Sequence, residues 1–210
     1  MTDKNWIDAT TFVQNFEIEV VFPAISKYYF GDANNTEQIA QKEKFYEKLY
    51  TPFSDPGFLN TTSTIASDPT ELIRYYEDVL RLSKKHNKKL SHHYFWLRPI
   101  IRNLDTGDAL VSFPWYDTLT ETRRLFFELT KDNEGNIFFD ADQGWELIVE
   151  HYNEKIFIKE CDPDYNEVYC LINLDRQEML KQVRQQLAAA EEIVATLVKH
   201  FGADYWTKRI

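Results

Sequence analysis

The clearest pattern in the chain lies near its end. Leu180, Val183, Leu187, Ala190, Val194, Leu197 and Phe201 recur three and four residues apart, which puts them on one face of an α-helix. Asp175 with Glu178 three residues later forms a D-x-x-E capping pair, and Gly202 suits the left-handed turn that ends a helix. The spacing predicts a helix of about 27 residues, roughly 40 Å long. Its apolar seam fits packing across a sheet better than a coiled coil with another chain. The heptads are few, and the alanines around Ala190 suit close approach to a sheet.

From about Tyr94 the pattern changes to short apolar runs separated by turn residues. Residues 94–104 and 109–115 flank Asp105-Thr106-Gly107-Asp108, a hairpin turn with glycine where a positive φ is needed. Residues 124–129 read as a further strand. Asn133-Glu134-Gly135-Asn136 turns into Ile137-Phe138-Phe139. After Asp142-Gln143-Gly144 come strands over 145–152, 156–160 and 168–174, with turns at Asn153-Glu154 and Asp162-Pro163-Asp164. Short strands joined by small turns predict an antiparallel meander.

The first third reads as mainly helical. Phe12, Phe16 and Val20 are compatible with a helix up to Pro23, although residues 18–22 suit a strand equally. Gly31 to Asn35 is a loop. Thr36 can cap a helix running to about Tyr50 through Ile39, Tyr46 and Leu49. Residues 52–69, with three prolines, a glycine and many Ser and Thr, form a long connection. Asp68-Pro69 opens the next helix, with the stripe Leu72, Tyr75, Tyr76, Val79, Leu80 and Leu82. Its Lys84-Lys85-His86-Asn87-Lys88-Lys89 end is a solvated basic terminus that suits the helix dipole. The expected architecture is one α+β domain over 1–210. It comprises a helical N-terminal part (1–90), a central antiparallel sheet (91–174) and a long helix (175–202) across the sheet.

Composition supports a real core, with 43% hydrophobic residues. No apolar run approaches the roughly 20 residues needed to span a bilayer, so no membrane association is expected. Met1 to Thr10 lacks a basic region followed by an apolar segment, so no secretory signal is expected. With only Cys161 and Cys170 nine residues apart, reduced thiols and a cytoplasmic location are expected.

Charge is unevenly placed. Residues 128–167 hold twelve acids and three lysines, a net of −9 within a chain total of −10. These acids are mixed with strand-like apolar residues, so a folded acidic surface is expected rather than a disordered tail. Such a surface attracts a basic partner and repels nucleic acid.

Motifs for chemistry are scarce. The isolated glycines build neither a dinucleotide fingerprint nor a phosphate loop. G-x-S-x-G is absent, so a nucleophile elbow has no support, and the cysteines lack C-x-x-C spacing. His92 and His93, if on a strand, point to opposite faces and do not share one ion. His151 alternates with Trp145, Leu147 and Val149 and reads as a packed histidine. His200 lies where a helix C-terminus stabilises a cation. Asp162-Pro163-Asp164, with Glu160 and Glu167, lacks the glycine and spacing of a calcium loop. No metal, cofactor or catalytic residue is therefore expected.

What remains is the acidic sheet. On the 145–152 strand, Glu146, Ile148, Glu150 and Tyr152 share one face, and Trp145, Leu147, Val149 and His151 the other. Carboxylates beside tyrosines suit a steered protein interface. The expected partner surface is Glu146, Glu150, Tyr152, Glu154, Asp162, Asp164, Tyr165 and Glu167.

The segment Gly144-Trp145-Glu146, Ile156-Phe157-Ile158, Cys161-Asp162-Pro163-Asp164, Asp175-Arg176 and Leu180, followed by the long helix and Gly202-Ala203-Asp204-Tyr205-Trp206, resembles bacterial immunity proteins. These are encoded beside polymorphic toxins of the Rhs, contact-dependent-inhibition and secretion-system kinds. The resemblance covers the last third of the chain. It implies a stoichiometric, non-catalytic inhibitor of a cognate toxin domain; a nuclease toxin fits the charge, and the free chain is expected to be a monomer. A small hydrolase using scattered histidines and carboxylates is the first alternative. An oligomeric scaffold joined through the C-terminal heptads is the second.

Overall fold

Alternation of large apolar and polar side chains builds most of the strands, and threefold-to-fourfold spacing builds the two long helices. A computed structural model describes residues 5–32, 34–51, 59–66, 68–113, 115–142 and 144–210. Along the chain run α1 (Asn5–Asp8), β1 (Thr11–Phe12), β2 (Phe16–Pro23), β3 (Lys27–Tyr29) and α2 (Thr36–Ala40). A tight 3-10 turn, Lys42–Phe45, leads into β4 (Tyr46–Lys48), then β5 (Leu59–Thr61), α3 (Thr62–Ile65) and α4 (Thr70–Lys85). A second 3-10 turn, His92–Tyr94, precedes β6 (Arg98–Asn103), β7 (Ala109–Ser112) and α5 (Leu119–Leu129). The meander β8 (Gly135–Asp142), β9 (Trp145–Tyr152), β10 (Lys155–Asp162) and β11 (Glu167–Asp175) ends in α6 (Arg176–Phe201).

The fold is α+β, with the meander and the long helix where the hydrophobic pattern places them. The sheet is not continuous, however. A five-stranded sheet runs β1-β11-β10-β9-β8, a four-stranded sheet runs β5-β2-β6-β7, and β3 pairs with β4. All pairings are antiparallel except β1 with β11.

Five local expectations change. Of the connection expected over 52–69, residues 52–58 and 67 lie outside the described residues, while Leu59–Thr61 and Thr62–Ile65 form β5 and α3. Residues 16–23 take the strand alternative, because Phe16, Ile18, Val20 and Phe22 are buried on one face. The helix expected from Thr36 to Tyr50 stops at Ala40, and the chain returns as β4 against β3, with the Tyr46 ring 5.3 Å from that of Tyr29. The strand expected over 124–129 is instead the last part of α5, which starts five residues earlier at Leu119, after its Thr118 cap. His92 and His93 lie in a 3-10 turn rather than on a strand.

Asp175 caps α6 by accepting from the Glu178 backbone N–H at 2.8 Å. The helix closes at Gly202, whose φ of 67° is readily adopted without a Cβ. Met179, Val183, Ala190, Val194 and Leu197 are buried within the chain, while Leu187 is half-buried. The helix lies against β2, α5 and α3 and meets β11 at its start. Beyond Gly202, Trp206 is fully buried, 5.0 Å from the Tyr76 ring and 5.7 Å from that of Phe95. Its carbonyl accepts from the Leu119 N–H at 2.9 Å, which fixes the tail to the start of α5. The buried apolar side chains form one core from Val13 to Trp206.

Two polar contacts tie α6 to the four-stranded sheet. Strand β2 pairs with β6 along Phe16–Val21, but β5 reaches only Val21–Pro23 of its other edge. At the uncovered edge, Gln182 Oε1 accepts from the Ile18 N–H at 2.7 Å, and its Nε2 donates to the Phe16 carbonyl at 3.1 Å. The carboxamide thus makes both bonds that a neighbouring strand would make. One turn further on, Gln186 accepts from the Thr62 hydroxyl.

On the opposite face of β2, Glu19 is 1% exposed. It accepts from the Ser63 hydroxyl and lies 3.9 Å from Arg102, which is itself engaged by Glu17 at 2.8 Å. Burial pushes the Glu19 carboxyl from 4.5 up to about 7. The folded protein therefore retains a proton there that the unfolded chain releases above its own lower pKa. The stabilisation is complete below pH 4.5 and is lost as the pH rises through about 7.

Two outcomes follow from these contacts. Glu19→Gln raises the stability at pH 8, on the order of 1–3 kcal/mol, and leaves it nearly unchanged at pH 4, as read by urea unfolding at both pH values. Gln182→Met strands the Ile18 N–H and the Phe16 carbonyl at a partly buried edge. It lowers stability by roughly 2 kcal/mol in the same assay.

Candidate functional site

The acidic segment folds as the β8–β11 meander, and its strand register decides which of its residues meet. Glu146 pairs with Cys161, Ile148 with Lys159, Glu150 with Phe157 and Tyr152 with Lys155. Paired residues point to the same side, so these positions form the outer face. Leu147, Val149, Ile156, Ile158 and Leu174 are fully buried on the inner face. His151 is also buried, with Nδ1 3.2 Å from the Asn133 carbonyl oxygen, so it is a packed histidine.

At one end of the meander the β8–β9 and β10–β11 turns lie side by side. Asp142, Glu146, Asp162, Asp164 and Glu167 gather there, and Ala141, Asp142, Gly144, Trp145, Glu146, Pro163 and Asp164 line a shallow cleft of about 330 Å³. Asp162 Oδ1 organises its own turn by accepting from the N–H groups of Asp164 and Tyr165 at 2.9 and 3.1 Å. A bulge between Glu160 and Cys161 sets Cys161 opposite Val168 and leaves Tyr169 outside the ladder. Beside these carboxylates stand Tyr165, 82% exposed, and the half-exposed Val168 and Tyr169. On the inner side, Glu160 accepts from Trp145 Nε1 at 2.8 Å, and burial raises its carboxyl above the usual carboxylate range.

Structure divides the residues expected to form one surface. Glu146, Asp162, Asp164, Tyr165 and Glu167 lie together at this end. Tyr152 and Glu154 lie at the other end of β9 and β10, roughly 20 Å away by strand rise. There Glu154 secures the start of α6, its carbonyl accepting from the Arg176 N–H at 3.0 Å and its carboxylate from Gln177 at 3.1 Å. Tyr152 lines a separate cleft with Ile7, Asp8 and Thr10. Glu150 is only 4% exposed, so it does not belong to an open surface. Its row across the ladder holds Phe157 and Asn173, and Asn173 is also buried and donates to Thr10 at 2.9 Å.

Other candidate chemistry resolves into structural roles. His92 lies 3.7 Å from Asp117, beyond hydrogen-bond reach, and both its ring nitrogens are closed off from solvent. Burial lowers its pKa, and Asp117 is engaged instead by Arg209 at 3.1 Å. A substrate therefore has no access to that imidazole. His200 pairs with Glu77 at 3.0 Å at the end of α6. Within the basic run, Lys85 and His86 each lie 2.8 Å from Glu47 and hold β4 against the end of α4. Cys161 and Cys170 are free, buried thiols on opposite sheet faces, and burial raises the Cys170 thiol to about 12. Among the described residues no three His, Cys, Asp or Glu side chains converge as metal ligands. Among them also, no helix is long and apolar enough to cross a membrane.

The apolar character of this end, carried by Tyr165, Val168 and Tyr169, is the feature that strand alternation alone did not indicate. The signal present in the sequence is the interruption of alternation by Val168-Tyr169-Cys170 just after a turn, where a bulge exposes two large residues in succession.

Gly144 sets the approach of the two turns. Its φ is +86°, and a Cβ there would stand 3.0 Å from Asp164 Oδ2. Gly144→Ala is expected to lower stability by about 1–2 kcal/mol in urea unfolding and to move the Asp164 amide resonance. Compared with known proteins, the chain matches no family model, no curated protein and no solved structure.

Proposed function

We propose that this chain is an acidic protein-binding domain that neutralises a basic partner protein, acting as an immunity protein on a cognate toxin domain. One observation carries this reading. Tyr165, Val168 and Tyr169 stand exposed beside Asp162, Asp164, Glu167 and Glu146 at one end of the meander. Exposed aromatic anchors beside like-signed charges suit an interface in which the field speeds encounter and the aromatics hold the complex. A nuclease is the proposed toxin, because a cleft that binds phosphate is positive and an acidic surface competes with its substrate. Inhibition then requires occupancy of that cleft and no turnover. The scaffold alternative is less well supported, since the apolar seam of α6 is buried within the chain.

The proposed contact set is narrower than the sequence suggests, with Tyr152, Glu154 and the buried Glu150 left outside it. The test pairs the chain with the C-terminal domain of the protein encoded by the gene next to its own. Co-expression restores growth. In stopped-flow at low salt, Asp164→Asn with Glu167→Gln slows association about tenfold and flattens its salt dependence. Tyr165→Ala leaves association unchanged and speeds dissociation, a loss on the order of 2 kcal/mol. Equal association of the double variant and wild type at low salt refutes the steering role of this end.

A further inference from the structure

Far from the acidic meander, the β3–β4 hairpin stands away from the end of β2 and leaves a cavity of about 730 Å³. That volume is typical of small-molecule sites, which are concave, mostly apolar and furnished with a few polar groups. Its walls are the rings of Tyr29, Tyr46, Tyr94 and His93 and the side chains of Ile25 and Ile39. The two isoleucines are 36% and 47% exposed, unusual for large aliphatic side chains facing a shared recess.

The walls are held in place by bonds to one another and to the core behind them. The Tyr75 hydroxyl accepts from the Ile25 N–H at 3.3 Å, and the Tyr94 hydroxyl from the Tyr29 N–H at 2.9 Å. Tyr28 stacks on Tyr94 with centroids 5.1 Å apart. Phe30 stacks on His86 at 4.1 Å, and His86 is in turn held by Glu47 of β4. The recess is thus preformed, so a ligand does not have to order it.

Its polar groups carry a definite sign. Lys27 Nζ is paired with Glu43 at 3.0 Å. Lys42 has no ion-pair partner among the described residues, and its Nζ lies 5.7 and 5.8 Å from the Tyr29 and Tyr46 ring centroids. Two ammonium groups, Lys27 and Lys42, thus face one carboxylate, Glu43, so the cavity carries a net positive charge over aromatic walls in a protein whose net charge is −10.

We propose that this cavity binds a small, flat apolar monoanion, with an aromatic or similarly planar body between the tyrosine rings and a carboxylate on Lys42. The body gains from ring stacking and the release of water from Ile25 and Ile39. The carboxylate gains a charge-assisted bond at the cavity rim. A cation of the same shape meets like charge there.

Isothermal titration of the full chain with 2-naphthoate, 2-naphthamide and 2-naphthylmethylammonium tests this. Naphthoate is expected to bind saturably at one site per chain, at least about fivefold tighter than the amide, with the ammonium weakest. Lys42→Met removes the preference for naphthoate over the amide and leaves amide binding intact. Ile39→Asn, at a position 47% exposed, weakens all three. The proposal is overturned by the absence of saturable naphthoate binding to the folded wild type, or by a carboxylate preference that survives Lys42→Met.

Discussion

The uncovered edge of β2 is the constraint on which the rest of the structure depends. A strand at the centre of a core must have its backbone hydrogen bonds made on both sides, and β5 is too short to complete one of them. Gln182 supplies the missing pair from the second turn of α6. This fixes the rotation of the helix about its axis as well as its position, since one turn of slippage would carry the carboxamide away from Ile18. With the rotation fixed, Met179, Val183, Ala190, Val194 and Leu197 face the core, and the tail after Gly202 delivers Trp206 to Tyr76 and Phe95. The same helix begins at the last residue of β11, so it also sets the five-stranded sheet relative to the four-stranded one.

That arrangement separates two surfaces of opposite character. The meander projects its turns into water, where clustered carboxylates repel one another only weakly because solvent screens them. Lys159, facing outward in the middle of β10, tempers the sheet's centre but not its end. The β3–β4 hairpin, by contrast, carries lysines over tyrosine rings around an apolar recess. The two ligands proposed above, a basic macromolecule and a small anion, call on different places and different physics.

The sequence revealed the parts of this fold whose signals are local. The capping pair Asp175/Glu178, the spacing from Leu180 to Phe201 and Gly202 delimit α6, and the alternation from Trp145 to Tyr152 delimits β9. Helix α5 was also encoded locally, since the Thr118 side chain accepts from the Glu121 N–H at 3.2 Å in a T-x-x-E arrangement. The apolar run Leu125-Phe126-Phe127 obscured it, because a short run fits either period. What could not be read locally depends on distant partners. Residues 41–50 leave the helical state because Tyr46, Glu47 and Lys48 find β3 and the end of α4. Glu150 sits on the polar side of its strand and is nevertheless buried. Nothing in the alternation distinguishes it from Glu146, which lies at the open end of the same face.

Strand β11 borders the five-stranded sheet, and β1 pairs with only Ile172 and Asn173 along it. On the side away from β10, the stretch from Glu167 to Leu171 has no strand partner among the described residues, and with Val168 and Tyr169 it is the kind of border at which proteins recruit copies of themselves into aggregates. Asp164 and Glu167 stand at the head of that border and Asp175 at its foot, while Asp140 and Asp142 occupy the opposite border on β8. Two identical edges brought together would confront carboxylate with carboxylate. These charges are therefore gatekeepers of solubility, a duty they would perform whether or not any partner were present.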